Sequence, residues 1–143
     1  MSIAGKTIIV TGGTSGIGEA CTREFVMRGA NVVMASIQPA EGKALEDELS
    51  STSRAKFIAC DVTQEDQVRA LVEGAVAKFG RVDAIHCNAG AWGQGTAEDF
   101  DEAIWDKVMG VNVKGALLTA KYGIPALRAA GGGTFLATTS VAA

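Results

Sequence analysis

Five short apolar runs alternate along the chain with stretches in which apolar residues recur every three or four positions. Thr7-Ile8-Ile9-Val10-Thr11 is continuous and β-branched, stops at Gly12-Gly13, and is followed by a helical pattern after Gly18. That is a buried strand feeding a helix through a glycine turn. Asn31-Val32-Val33-Met34-Ala35 follows Gly29, placed as a helix C-cap glycine, and precedes a helical stretch from Glu41 to Leu49. Phe57-Ile58-Ala59-Cys60 is a third strand, and then Val68, Leu71, Val72, Ala75, Val76 and Phe79 mark the clearest amphipathic helix. Ala84-Ile85-His86-Cys87 ends at Asn88-Ala89-Gly90, and after a polar loop a long helical region runs from about Ala103 to Arg128. Pro125 should kink that helix or mark its final turns. Thr134-Phe135-Leu136-Ala137-Thr138 is the fifth strand.

Strands that are apolar throughout, separated by helices, predict a parallel sheet covered on both faces: a doubly wound α/β fold of three layers. With no linker, low-complexity tract or further repeat, residues 1–143 read as a single domain. Composition agrees, since 48% apolar against 20% charged residues can form a core without staples. Thirteen Lys plus Arg against sixteen Asp plus Glu leave a net charge of −3 and no basic run, which excludes duplex nucleic acid and anionic membrane as partners. No apolar run is long enough to span a membrane, and Met1 to Lys6 lacks a secretory layout, so the expectation is a soluble, cytoplasmic protein. Cys21, Cys60 and Cys87 are odd in number and far apart, which predicts buried, reduced thiols.

The candidate chemistry starts at Thr11-Gly12-Gly13-Thr14-Ser15-Gly16-Ile17-Gly18. Gly12 permits a tight turn, Gly16 lets backbone approach a ligand, and Gly18 lets helix and sheet pack closely. N–H groups at the helix start would hold a pyrophosphate, with the Thr14 and Ser15 hydroxyls as further donors. Because the loop opens a strand–helix–strand unit, nucleotide binding is favoured over a plain turn.

The G-x-x-x-G-x-G spacing resembles the glycine motif of the short-chain dehydrogenase/reductase family, which has a Rossmann-like sheet. Asp61-Val62 after the third strand, Asn88-Ala89-Gly90 after the fourth, Asn112 in the long helix and Ser140 after the fifth fall in that family's order. The resemblance implies an NAD(P)-dependent oxidoreductase moving hydride between a nicotinamide cofactor and a small alcohol or carbonyl substrate. It also implies that Asp61 bonds the adenine amino group and Val62 lies beside the ring. Asn88, Ala89 and Gly90 would lie against the cofactor ribose, with Asn88 bracing the sheet. Asn112 would break the helix and hold a water of the proton relay, and Ser140 would donate to the substrate oxygen. Asp61, or else Thr63, could instead cap the third helix, and Asn112 could be solvated or back-bonded. Family members form dimers or tetramers through the long helix, although Val113, Ala116, Leu117 and Ala120 fit equally well against the sheet.

The family's acid/base tyrosine and lysine follow the serine, and this sequence reaches Ala143 first, so the 143 residues alone are expected to be inactive. Tyr122 precedes Ser140 and has Ala126, not lysine, four residues on, which rules it out as that tyrosine. Lys114 and Lys121 read as solvated helix residues. Cofactor choice rests on Ser36-Ile37-Gln38, with neither a carboxylate for NAD nor a basic residue for the NADP phosphate. Low basicity tilts Ser36 toward NAD. With the fifth strand at an open apolar edge, further chain would be needed to cover it. His86 reads as a satisfied buried imidazole, and Trp92 and Trp105 as packing under a loop. The alternatives are a nucleotide-binding module without redox chemistry and a Rossmann-like methyltransferase; the glycine spacing opposes the latter.

Overall fold

The computed structural model describes residues 2–140. Its sheet is five-stranded and parallel, in the order β3-β2-β1-β4-β5. The strands are β1 (Thr7–Thr11), β2 (Asn31–Ser36), β3 (Ala55–Ala59), β4 (Ala84–Cys87) and β5 (Thr134–Ala137). Between them run α1 (Gly16–Met27), α2 (Pro39–Glu48), α3 (Glu65–Phe79), α4 (Glu102–Met109) and α5 (Ala116–Ala129). The chain winds outward from β1 through β2 to β3, then crosses to β4 and continues to β5. The expected doubly wound architecture is therefore present.

Alternation along the central strands divides the core between the two faces. Ile8, Val10 and Val32 pack with Val26 of α1, whereas Ile9, Val33 and Ile85 pack with Val68 and Leu71 of α3 and with Leu118 and Leu127 of α5. Each such fully buried aliphatic contributes about 1.5–3 kcal/mol by leaving water. Close packing of α2 is set by Gly42, where a Cβ would collide with the Phe57 ring. After α1 the chain turns at Gly29 as expected. Gly29 N donates to Val26 O at 2.9 Å and Ala30 N to Phe25 O at 2.9 Å, the paired bonds of a Schellman motif.

Several boundaries differ from the sequence expectation. The first helix begins at Gly16 rather than after Gly18, so two of the loop glycines lie within its first turn. Proline at its first position lets α2 begin at Pro39, ahead of Glu41. On α3, Val68, Leu71, Val72 and Ala75 are buried and Phe79 packs against the same core, but Val76 is exposed. The long helix is interrupted: between α4 and α5, Gly110–Gly115 forms a π-helical segment with Asn112 inside it. Pro125 leaves α5 unbroken to Ala129. Val113 and Leu117 face away from the sheet, which Leu118 and its neighbours cover instead. As expected, β5 stands at the sheet edge, with Leu136 exposed.

Candidate dinucleotide and active site

In this strand order, β1 and β4 are neighbours whose chains leave toward opposite sides of the sheet. A crevice forms outside their carboxyl ends, and ligands of open α/β sheets bind at such a switch point. There the backbone needs glycine for two separate reasons. Gly12 and Gly16 have φ of +64° and +52°, in the left-handed region. At Gly18 any Cβ would collide with Gly12 O and stand 2.6 Å from Asn88 Nδ2. Open space lies where a Cβ of Gly16 would be. Ser15 is the N-cap of α1, yet its side chain makes no capping bond, which leaves the first-turn N–H groups without a side-chain acceptor.

A cleft of about 340 Å3 brings seven of the expected residues together: Gly12, Ser15, Ser36, Asp61, Val62, Ala89 and Gly90. Ile17 is exposed on the first turn of α1. Thr14 differs from its expected role as an open donor, since it is buried and its Oγ1 has no partner in the protein. Asn88 lies behind the cleft. Its N–H and that of Ala89 both donate to Thr11 Oγ1, at 3.0 and 3.1 Å, and its Nδ2 donates to Gly12 O at 3.4 Å.

Asp61 serves the turn and faces the cleft at once. Its Oδ1 accepts from Thr63 N at 2.9 Å and Thr63 Oγ1 at 2.8 Å. Thr63 therefore does not cap α3; the N-cap position falls to Gln64, without a side-chain bond. Ser36 is buried, and its Oγ accepts from Gln38 N at 3.1 Å, while Ile37 beside it is exposed. The buried Cys60 also lines the cleft, with its thiol pushed up to about 11 by burial, which disfavours the thiolate. Cys87 is likewise buried and pushed up by burial, while Cys21 is only half-buried; all three are free.

Asn112 is exposed but is not back-bonded along its own helix; its amide reaches the loop after β4. Ala91 N donates to its Oδ1 at 2.7 Å, and its Nδ2 donates to Ala91 O at 2.9 Å. It thus clamps the backbone of one residue of the loop after β4, through the peptides on either side of the Ala91 Cα. A second cavity, of about 390 Å3, adjoins this clamp and shares Ala91 and Trp92 with the cleft. Phe100, Ile104, Trp105 and Val108 make its wall apolar. Trp105 packs edge-on against Phe100, at 6.2 Å and 67°, as loop packing predicts; Trp92 instead is exposed where the two cavities meet. Ser140 lies exposed after β5 and does not line the cleft. Val141 and Ala142 lie outside the described residues.

Tyr122 is occupied elsewhere. Its hydroxyl donates to Glu65 Oε1 at 2.6 Å, and that carboxylate holds the phenol above its ordinary value, the opposite of what an acid/base tyrosine needs. Lys121 is likewise paired with Glu65, at 2.5 Å, and not simply solvated. Sequence reasoning missed Lys107 of α4 and Val111 of the π segment, which also line the cleft. It also missed Thr11, although a hydroxyl at the end of a strand facing two free N–H groups is a signal that could have been used.

A doubly wound parallel sheet with a glycine-rich turn at its switch point defines an α/β protein of the Rossmann type. Residues 6–143 match the family model of the short chain dehydrogenases, and the chain belongs to that family. It is 41% identical over 143 residues to a "(-)-isopiperitenol/(-)-carveol dehydrogenase, mitochondrial" of Mentha piperita, covering 96% of this chain and 53% of that protein. It is 45% identical over 125 residues to "Tropinone reductase-like 1" of Erythroxylum coca, covering 84% and 45%. With "Sex determination protein tasselseed-2" of Zea mays it shares 41% over 145 residues, covering 97% and 43%. The chain spans about half the length of these relatives. No helix among the described residues is long and apolar enough to cross a membrane.

Proposed function

We propose that this chain forms the dinucleotide-binding part of an oxidoreductase that moves hydride between NAD(H) and an apolar alcohol or its carbonyl form. One observation carries the reading: Gly12 and Ser15 of the glycine loop, Asp61-Val62 and Ala89-Gly90 line a single cleft at the β1/β4 switch point. A dinucleotide fits the residues there, because Gly16 leaves open space and the start of α1 has uncapped N–H groups for a pyrophosphate. Asp61, with Oδ1 held by Thr63, faces the adenine end beside Val62. Ala89 and Gly90 offer a small-residue wall to the ribose. When bound, the nicotinamide supplies or accepts the hydride.

Ser140 donates to the substrate oxygen and stabilises the negative charge that develops on it. Asn112 holds the Ala91 backbone, and with it the wall between cofactor and substrate. The apolar cavity with Trp92 at its mouth, and relatives named for dehydrogenation of carveol and isopiperitenol, support an apolar substrate. NAD is preferred because Ser15, and Ser36, Ile37 and Gln38 at the end of β2, offer no cation to a 2′-phosphate, while Lys107, which also lines the cleft, comes from α4. The exposed strip Trp105, Met109, Val113 and Leu117 supports a homo-oligomer formed through the long helix. A cytoplasmic location belongs to the same proposal, with the mitochondrial name of the Mentha relative marking the alternative.

The test titrates the full-length protein and its Ser140→Ala variant with NADH and NADPH, following nicotinamide fluorescence, and then measures turnover. Tighter binding of NADH, with turnover lost but binding retained in Ser140→Ala, is the expected result. Binding without turnover in the wild type would leave a nucleotide-binding module, and no binding would refute the reading altogether.

A further inference from the structure

His86 is the one histidine of the sequence, and it does not line the cleft. It lies on β4, 7% exposed, with Nε2 at 2.8 Å from Thr138 Oγ1. That hydroxyl donates to Asn88 Oδ1 at 3.0 Å, and Asn88 Nδ2 donates onward to Gly12 O at 3.4 Å. A hydroxyl has a single hydrogen. Since Thr138 directs it at Asn88, the oxygen accepts from His86, so Nε2 carries the ring proton and Nδ1 is bare. Nδ1 is buried without a partner, which suits a nitrogen that has nothing to donate.

The reverse arrangement fails at both ends. Flipping the Asn88 amide would turn Oδ1 toward Gly12 O, setting two acceptors face to face. It would also move the ring proton to Nδ1, a buried N–H with no acceptor, which folded proteins almost never keep. An imidazolium would bury the same N–H, and burial already holds the ring below its ordinary value. The amide so oriented sits between the loop glycines: Nδ2 would be 3.3 Å from a Cβ at Gly12 and 2.6 Å from one at Gly18. At the other end, Thr138 lies two residues before Ser140, and its N–H donates to Cys87 O at 3.0 Å.

We propose that His86 is a positioning residue for the dinucleotide loop: its Nε2–H orients the Thr138 hydroxyl, which orients the Asn88 amide beneath Gly12 and Gly18. The inference rests on the cofactor reading given above for what the loop holds, but its hydrogen-bond order can be read without cofactor. The experiment uses 15N-labelled full-length protein, with His86→Gln identifying the His86 ring signals, and long-range 1H–15N correlation to separate the neutral tautomers. The expected spectrum has Nε2 protonated and Nδ1 bare. An Nδ1–H tautomer or an averaged mixture overturns the relay.

Thr138→Val is expected to release the ring into a tautomer mixture and to weaken dinucleotide binding about fivefold, the usual consequence of losing one hydrogen bond. Thr138→Ser restores both the tautomer and the affinity. His86→Leu weakens binding to a similar extent, and His86→Gln, which keeps an N–H donor, recovers most of it. Equal losses in the valine and serine variants, or undiminished binding in Thr138→Val, overturn the proposal. A wild type that binds no dinucleotide refutes the functional reading, while the ring spectrum still decides the relay.

Discussion

Strands β1 and β4 are laced together at both ends, and by different chemistry. At their amino ends the lacing is ionic: Asp83, 8% exposed, accepts from Thr7 N at 3.0 Å, from Lys6 at 3.1 Å and from Arg81 at 2.7 Å. At their carboxyl ends it is neutral, with Thr11, Asn88, Thr138 and His86 joined through hydroxyl and amide groups. Burial alone would push the Asp83 carboxyl up, but the Thr7 N–H, the Arg81 guanidinium and the Lys6 ammonium together hold it below the usual range. A charged clasp of that kind at the other end would add its field to the site meant for an anionic cofactor. The uncharged one adds no field of its own to that of the α1 N–H groups and of Lys107, which lines the cleft. One end of the strand pair can thus be tuned for stability and the other for binding.

The contrast is broken most severely at Gly18. Gly18→Ala drives a Cβ into Gly12 O and the Asn88 amide, so cofactor affinity measured by fluorescence titration should fall at least about 100-fold, as expected when a backbone-lined phosphate site is displaced. Asp83→Asn should act in the opposite sense, costing about 2 kcal/mol in a denaturation experiment while cofactor affinity stays within twofold. Its pH dependence follows from the sign of the shift. With the folded carboxyl below its unfolded value, the stabilisation is complete above about pH 4 and is lost as pH falls through the folded value. The variant should therefore show a flatter acid limb than the wild type. Smallest in stability is Leu117→Glu, outside both clasps. On the exposed face of α5 it should change stability by no more than about 0.5 kcal/mol. It should nevertheless reduce the mass seen by light scattering if copies associate through that face.

Much of this was legible in the sequence because it is periodic or local. Apolar runs mark all five strands, and the glycine spacing marks the loop. What stayed hidden depends on distant partners or on hydrogen-bond order. Thr138 and His86 lie 52 residues apart and look unremarkable separately, so nothing marked them as a pair. Thr63 looked like a helix cap, but Asp61 took its hydroxyl. Val113 and Leu117 had the spacing of core residues, yet the sheet is covered by Leu118 and Thr119. The break at Asn112 is expected from the family resemblance alone, because the helical pattern around it is regular and shows neither the wider turn nor the bond to Ala91.

The π segment at Gly110–Gly115 also acts as a phase setting between two helices. A helix advances about 100° per residue, so the extra residue accommodated there fixes the rotation of α4 relative to α5. Removing one residue would let ordinary α-helical bonding run through and would tighten the wide turn that carries Asn112. Asn112 would leave the Ala91 backbone in the same motion. Substitutions can be absorbed along this stretch, but its residue count cannot change without dismantling the wall shared by the two cavities.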